Sequence, residues 1–500
     1  MNMAMDICII FMHFHPVLFA QTHCPDRGRL VYLIMNCKKI FGFPEKKGAD
    51  NHAVSVMRKL FGSSFVELGA YRGERDENGK PSLCNTVTGY GAVNDALVYA
   101  FVQDGSDNGG AVSAVSARKI VSLIERSCKD EAPLVGFFDS RGAQIEDGMS
   151  ALAGYGRIMR AVAAKHGNGP SIAVISGHCT GGLAVIAEMF DIVIALDGTD
   201  FYLNPTYIAR DALARQGIAA PEIGTAAAAA MRGELSLVCK NIDEAIAALS
   251  ELIGYIAYPE GEASDSCDRT TDSIAGIMSK PEYDVHAVIK ELCDNGNYLE
   301  CKPGYASELI TAFGRICGDT VAIVASNPAH HGGHLSERAA GKASAFMIVA
   351  SLVRIPVVTL VDTVGFDTTA PTELECTASR MAELALLYAD TPNAHITVVT
   401  GRAYGTASVI LGSRSLGADI CLALEYADMS IIDPNTAVQF MYGDEIDSSS
   451  DPEKTRAERI KEWKEAHAGT AEAAMYGEID DVIPHAELRA RIAAAVKECK

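Results

Sequence analysis

The chain has 500 residues, of which 48% are hydrophobic, and this length exceeds what one hydrophobic core usually organises, so two or more domains are predicted. The formal net charge is −21 and no run of Lys and Arg occurs, which argues against nucleic-acid binding because a phosphate backbone requires a basic surface. The 14 cysteines include no C-x-x-C pair. A zinc ribbon or a thioredoxin-like site is therefore not supported, and the scattered thiols indicate a reduced, cytoplasmic protein.

The N-terminal segment, residues 1–49, has no counterpart in the rest of the sequence. Its apolar stretch 7–20 resembles the hydrophobic part of a signal peptide, but Asp6 stands where a basic residue is usual. The stretch is also too short to span a bilayer. We interpret this segment as a mis-called start or a disordered tail, with Met35 as an alternative first residue.

From residue 50 onward, the sequence carries the same pattern twice. PLVGFFDSRGA (133–143) is echoed by PVVTLVDTVGF (356–366), SIAVISGHCTGGLAV (171–185) by HITVVTGRAYGTASV (395–409), and FDIVIALDGTDFYL (190–203) by ADICLALEYADMSI (418–431). The spacings are 223, 224 and 228 residues. A chance likeness between α/β units would not repeat the order, the interval and the aspartates together. Two similar domains are therefore predicted, at 50–258 and 285–500, with a polar linker at 259–284.

Within each copy, short apolar strands alternate with helical stretches. Helices are predicted at 226–233 and, as an amphipathic helix, at 455–469. This alternation predicts the α/β class, with strands stacked in layers and helices outside.

Two adjacent glycines, Gly181 and Gly182, lie between the apolar run 171–176 and a helix-compatible stretch. At a strand-to-helix turn, glycine allows close backbone approach, and the first helical N–H groups have no partner within the helix. Such groups can bind an anion. The second copy has an equivalent turn, so two sites of this kind favour chemistry in which negative charge develops on a held carbonyl oxygen, as in a thioester enolate.

No competing set of catalytic side chains is evident in the sequence. It contains no G-x-S-x-G, P-loop, H-E-x-x-H or dinucleotide-binding G-x-G-x-x-G motif. Cys179 beside His178 suggests a nucleophile and its base, but sequence neighbours seldom face each other. Glu188 is open to two readings, a lone base or a packing residue. The histidines at 330, 331 and 334 lie in a glycine-rich turn without acidic or cysteine partners, so no metal site is predicted.

At these residues the chain resembles the carboxyltransferase family of biotin-dependent acyl-CoA carboxylases and decarboxylases, such as the propionyl-CoA carboxylase β subunit. The resemblance covers about residues 54–495 and includes VTGYGAVNDALVYAFVQD (87–104), DSRGAQIEDGMSALAGYG (139–156), ITAFGRICGDTVAIVASNP (310–328) and GRAYGTAS (401–408). It implies a duplicated crotonase-like (ClpP/crotonase) fold of ββα units.

The family's site residues carry over where the motifs match. The resemblance implies one oxyanion hole from the backbone N–H groups of Gly181 and Gly182, and a second from those of Thr406 and Ala407. In such enzymes one hole holds the acyl-CoA thioester carbonyl and the other the ureido carbonyl of biotin, and no side chain has to act as a base. The residues implied to contact the CoA and biotin are Ser140, Gly142, Ala143, Gly365, Phe366, Tyr404 and Val409.

Several positions depart from the family pattern. Arg141 replaces a glycine and Gln144 an arginine in the loop that borders the CoA, Val364 replaces a proline, and Thr406 replaces a glycine. Val409 occupies a position that shapes the acyl pocket. These changes keep the reaction but leave the acyl group open.

The sequence has no M-K-M biotinyl-lysine motif and no ATP-binding module. The resemblance therefore implies biotin on a separate carboxyl carrier protein, an acyl-CoA substrate of the propionyl or acetyl type, a biotin carboxylase or membrane decarboxylase subunit as partner, and a dimer or hexamer of this chain. Three alternatives remain: a sodium-pumping decarboxylase of methylmalonyl- or glutaconyl-CoA, a crotonase-type hydratase or isomerase, and a non-catalytic assembly subunit.

Overall fold

The computed structural model of the chain describes residues 46–48, 50–75, 79–204, 211–212, 214–217, 224–369 and 377–499. The interpretation of the N-terminal segment falls on residues that lie almost entirely outside these ranges. None of the described helices is long and apolar enough to cross a membrane.

In the described residues, the first half of the chain contains strands of three to ten residues and six α-helices. The strands are β1 (Val66–Leu68), β2 (Gly73–Arg75), β3 (Pro81–Leu83), β4 (Thr86–Val93), β5 (Ala96–Gln103), β6 (Leu134–Ser140), β7 (Ser171–Thr180), β8 (Ile192–Leu196), β9 (Asp200–Tyr202) and β10 (Leu237–Cys239). The described α-helices are α1 (His52–Phe61), α2 (Ala114–Lys129), α3 (Met149–Lys165), α4 (Gly182–Glu188), α5 (Ala226–Met231) and α6 (Ile242–Ala257).

The second half repeats this arrangement and adds helices near the C-terminus. Its strands are β11 (Tyr298–Cys301), β12 (Leu309–Ile316), β13 (Asp319–Ser326), β14 (His334–Leu335), β15 (Val357–Thr363), β16 (Gly365–Phe366), β17 (His395–Tyr404), β18 (Ile420–Leu424), β19 (Asp428–Ser430) and β20 (Asp481–Ile483). Its described α-helices are α7 (Ser273–Ile277), α8 (Val285–Leu292), α9 (Glu337–Leu352), α10 (Thr377–Asp390), α11 (Gly405–Ile410), α12 (Pro434–Ser448), α13 (Pro452–His467), α14 (Thr470–Met475) and α15 (Leu488–Glu498).

Two eight-stranded sheets have the same topology. The first has the order β1-β4-β5-β6-β7-β8-β10 with β9 pairing β7, and the second has β11-β12-β13-β15-β17-β18-β20 with β19 pairing β17. In both sheets the first three strands are antiparallel and the rest are parallel. The pairing β6–β7 shifts register after Phe138, and β15–β17 shifts after Val361. The two sheet-containing halves confirm the predicted α/β class and the internal repeat.

The two halves pack against each other through helix α6 and strand β12. The rings of Tyr255 and Phe313 stack with centroids 6.4 Å apart, and the Arg315 guanidinium donates to the carbonyl oxygens of Gly254 and Tyr258 at 2.9 and 2.7 Å. These contacts belong to one compact unit, residues 47–70 and 84–500, whereas the β2–β3 hairpin belongs to a separate small unit. The predicted boundaries at 258 and 285 stay predictions.

Two local expectations need adjustment. Helix α13 exists where a helix was predicted, but the prediction that it is amphipathic was wrong, because none of its residues is buried. The predicted linker is mostly exposed, yet it is anchored: the buried Thr271 hydroxyl donates to the carbonyl oxygen of His485 at 2.6 Å. Arg269 also donates to the Glu291 carbonyl oxygen at 2.8 Å.

Candidate functional site

The first turn lies at the end of the central strand β7. Gly181 has φ +64° and ψ −133°, a conformation that residues with a Cβ rarely adopt, and helix α4 begins at the next residue. A Cβ added at Gly182 would meet only the Tyr155 ring, at 3.4 Å, which is an ordinary contact. The two glycines therefore differ: the backbone conformation requires glycine at Gly181, whereas a larger residue such as alanine fits at Gly182.

The second turn lies at the end of β17 and has the same backbone form. Gly405 has φ +63°, and helix α11 starts there. Gly405 is thus the counterpart of Gly181. It follows that Thr406 corresponds to Gly182, and Ala407 to Leu183.

The backbone N–H groups of these turns differ in whether they have an acceptor. The Gly181 N–H donates to the Tyr202 carbonyl oxygen at 3.0 Å, which extends the β7–β9 pairing. In the described part of the chain, no acceptor contacts the N–H of Gly182 or Leu183 in the first turn. The same holds for the N–H groups at positions 406 and 407 of the second turn. Four main-chain donors at two equivalent turns are therefore available to an external oxygen.

Leu183 was not named from the sequence. The Gly-Gly pair drew attention to residues 181 and 182, whereas the hydrogen bond of Gly181 to Tyr202 moves the available pair one residue further along the chain. The internal repeat contained the signal, because aligning Gly181 with Gly405 places Leu183 opposite Ala407.

A carboxylate fixes each strand end just before the turn. Asp139 accepts the backbone N–H of His178 at 3.0 Å, and Asp362 accepts that of Arg402 at 3.1 Å. Asp362 is 3% exposed and also accepts the Nε–H of Arg402 at 2.8 Å. The aspartates that recur in the sequence thus hold the two strands in register beside the turns.

His178 and Cys179 do not form a nucleophile and base pair. His178 Nδ1 lies 2.9 Å from the Asp200 carboxylate, while Cys179 is fully buried. Burial raises the pKa of the Cys179 thiol well above its usual value, which removes the thiolate needed for attack.

The two loops predicted to contact the CoA and biotin are also counterparts of each other. The Ser140 hydroxyl accepts the Gly142 N–H at 3.2 Å, as the Thr363 hydroxyl accepts that of Gly365 at 3.4 Å. Ala143 bridges to Val112, and Phe366 pairs with Leu335. Tyr404 ends β17 directly before the second turn, with its hydroxyl donating to Asp428 at 2.8 Å.

A groove of about 640 Å³ with mostly apolar walls lies along helix α4, which follows the first turn. It is lined by Ala184, Val185, Glu188, Phe201, Tyr202, Leu203, Asn204, Ala212, Arg232 and Glu234. Val185 is 40% exposed on α4, and its counterpart Val409 is 38% exposed on α11, so both apolar side chains face out from the helix that follows each turn.

Glu188 ends helix α4 at the wall of this groove. Burial raises the pKa of its carboxyl to about 7, and the nearby Glu234 adds to the rise. A carboxyl of this kind can exchange a proton near neutral pH.

The glycine-rich turn with three histidines forms no cluster of metal ligands. No group of three His, Cys, Asp or Glu side chains suited to a metal ion occurs within the described ranges. His334 Nδ1 lies 2.9 Å from the carbonyl oxygen of His331, so its ring is held by the turn itself.

Comparison with known proteins agrees with this architecture. The carboxyl transferase domain family matches residues 53–498. The methylmalonyl-CoA carboxyltransferase 12S subunit of Propionibacterium freudenreichii subsp. shermanii is 31% identical over 448 residues, covering 87% of this chain and 85% of that protein. The propionyl-CoA carboxylase beta chain of Saccharopolyspora erythraea is 30% identical, covering 87% and 84%. Methylmalonyl-CoA decarboxylase subunit alpha of Propionigenium modestum is 30% identical, covering 86% of each.

A crystal structure of the transcarboxylase 12S hexamer with methylmalonyl-CoA bound superposes with a TM-score of 0.84 at 29% identity, over 96% of each chain. The duplicated fold predicted from the sequence is therefore confirmed. The chain belongs to the carboxyltransferase family of biotin-dependent acyl-CoA carboxylases and decarboxylases.

Proposed function

We propose that this chain is a carboxyltransferase subunit that moves a carboxyl group between carboxybiotin on a separate carrier protein and the α-carbon of an acyl-CoA. The observation that carries the proposal is the pair of equivalent turns, in each of which two backbone N–H groups have no acceptor among the residues that the structure describes. The reaction needs two carbonyl oxygens held while each carries negative charge, and two donor pairs match that requirement.

The chain's own contribution to this reaction is electrostatic. Carboxybiotin, when bound, supplies the carboxyl group. The N–H groups of one turn would hold the thioester oxygen of the acyl-CoA and so stabilise its enolate, and those of the other turn would hold the ureido oxygen. Neither task requires a side-chain base.

In the first turn we assign the donors to Gly182 and Leu183. Gly181 supplies the left-handed conformation of the turn, and its predicted role as a donor requires its bond to Tyr202 to break. In the second turn we keep the predicted donors Thr406 and Ala407. The binding roles predicted for the paired loops at 140–143 and 365–366, and for Tyr404 and Val409, belong to the same proposal.

The partners follow from the same reasoning. One relative is named a decarboxylase subunit alpha and another a carboxylase beta chain, and the transcarboxylase 12S structure is described as a hexamer. We propose a biotin carboxyl carrier protein as the biotin donor and a homo-oligomer of this chain. The direction of transfer is distinguished by the co-purified subunit: a biotin carboxylase indicates carboxylation, and a membrane subunit indicates decarboxylation.

The test removes one donor without changing the helix. Gly182→Pro deletes the N–H at the first helical position, where proline is well accepted. We expect biocytin-dependent decarboxylation of methylmalonyl-CoA by the purified chain to fall by about 100-fold or more. Gly182→Ala is the matched control, because it adds a methyl group at an ordinary distance from Tyr155 and keeps the N–H.

The same pair of changes applies to the second turn. Thr406→Pro removes a donor, whereas Thr406→Gly keeps it and restores the smaller residue. If both proline variants retained activity equal to their controls, with unchanged thermal unfolding, the assignment of these donors would be wrong.

Glu188 keeps one alternative open, the hydratase or isomerase. Its carboxyl, with a pKa of about 7, lines the groove beside the first turn. Hydration of crotonyl-CoA without biotin, lost in Glu188→Gln, would support that alternative against carboxyl transfer.

A further inference from the structure

A second pocket, of about 460 Å³, lies between the two halves and shares no residue with the two turns. Residues 231–233 at the end of α5 form one wall. The other wall comes from Lys302, Tyr305, the first turns of α9 and Arg380 of α10. Four separate segments of the chain meet there.

The pocket is strongly cationic in a chain that is acidic overall. Its lining contains five cationic side chains and one carboxylate, that of Glu337. Each of its three arginines has a carboxylate partner, with Arg232–Glu234 at 2.6 Å, Arg338–Glu337 at 3.4 Å and Arg380–Glu383 at 3.0 Å. The arginines are therefore largely neutralised, and the two lysines account for the excess positive charge.

Lys302 and Lys342 have main-chain partners instead. Lys302 Nζ donates to the Gly233 carbonyl oxygen at 2.6 Å, and Lys342 Nζ to that of Tyr305 at 2.9 Å. Within the described ranges no carboxylate oxygen lies within 4 Å of either Nζ, although each ammonium carries three N–H donors. Lys342 is only 1% exposed.

Burial lowers the pKa of both ammonium groups, that of Lys342 to about 8. The carboxylates of Glu300 and Glu308 oppose the fall at Lys342, and the charge of Lys302 adds to it. At Lys302 the opposing carboxylates are Glu188 and Glu234. An anion between the two lysines would stabilise both charged forms.

We propose that this pocket binds a phosphate-bearing small molecule between Lys302 and Lys342, with the arginine guanidinium groups at its rim. Phosphate oxygens accept several charge-assisted hydrogen bonds at once, which suits two ammonium groups with unused donors and the forked guanidinium groups beside them. The phosphate comes either from the nucleotide part of an acyl-CoA or from a separate ligand.

Calorimetric titration of the full chain with pyrophosphate at pH 7.5 tests the proposal. We expect Lys342→Met and Lys302→Met each to weaken binding at least 10-fold. Lys461→Met is the matched control, because Lys461 lies on the exposed helix α13 with 78% of its side chain accessible, and it removes the same charge from the chain. Its affinity for pyrophosphate is expected to equal that of the unmodified chain.

Two further measurements complete the test. Arg380→Gln changes a half-exposed side chain at the rim and is expected to weaken binding about threefold, which keeps the test valid if a buried lysine variant fails to fold. Competition by acetyl-CoA identifies the CoA as the phosphate source, and its absence identifies a separate ligand. No binding at 10 mM pyrophosphate, or equal weakening by Lys461→Met, would overturn the proposal.

Discussion

Replacing Gly401 with alanine should destabilise the second half of the chain. A Cβ at this position would lie 2.2 Å from a carboxylate oxygen of Asp362, far inside contact distance. Either the strand shifts, at about 1–3 kcal/mol for overpacking, or the carboxylate moves away. If it moves, it loses its hydrogen bonds from the backbone N–H and Nε–H of Arg402, each worth about 1.5–3 kcal/mol. We expect a loss of about 3 kcal/mol in the free energy of unfolding.

Urea unfolding followed by circular dichroism measures this loss. Gly156→Ala serves as the control, because Gly156 lies within helix α3, is exposed, and has no atom within 4 Å of an added Cβ. That variant should gain up to about 1 kcal/mol, since alanine favours a helix over glycine. A Gly401→Ala protein within 0.5 kcal/mol of the unmodified chain would refute the argument that Asp362 has no room to move.

Three further predictions concern buried or titrating groups. Arg489→Met should cost about 3–5 kcal/mol in urea unfolding, because the fully buried guanidinium donates to Asp294 at 2.6 Å and its loss leaves a buried carboxylate without its charged partner. The hydrogen bond to Glu300 is the chief cause that raises the pKa of His286 to about 9. The protonated His286 side chain therefore stabilises the fold fully below pH 6.5, and this stabilisation is lost as pH rises through 9. His286→Gln should remove this pH dependence from the midpoint of unfolding. Burial raises the pKa of Glu188 to about 7, so the folded chain favours the neutral carboxyl. The free energy of unfolding therefore falls as pH rises from 4.5 to 7, and Glu188→Gln should abolish that fall.

The internal repeat could be predicted because physical constraints tie its residues together. A Cβ at Gly177 would lie 2.1 Å from the Asp139 carboxylate, just as one at Gly401 would meet Asp362. The aspartate at the end of one strand and the glycine on the next therefore depend on each other in both halves. Such coupled positions recur at a constant spacing, and the sequence displays that spacing directly.

Other features could not be predicted, because they depend on contacts between segments that are far apart in the sequence and no local sequence pattern marks them. The available donor pair in the first turn is set by the bond of Gly181 to Tyr202, whose carbonyl belongs to a different strand. The cationic pocket combines Lys302 with Lys342 and residues 231–233, which no motif connects. The amphipathic prediction for helix α13 failed for a different reason: its few apolar residues do not gather on one face, and none of its side chains is buried.

The duplicated turns share a backbone but differ in the side chains beside them, and this difference bears on their use. Main-chain N–H donors persist through nearly every substitution, so both halves keep a donor pair while their surroundings change. Beside the first turn, the imidazole Nδ1 of His178 lies 2.9 Å from the Asp200 carboxylate. Beside the second, Arg402 carries a permanent charge held by Asp362. The two turns offer the same hydrogen bonds in different electrostatic surroundings, which suits the binding of two different carbonyl groups. If both turns bound the same kind of carbonyl group, similar surroundings would be expected.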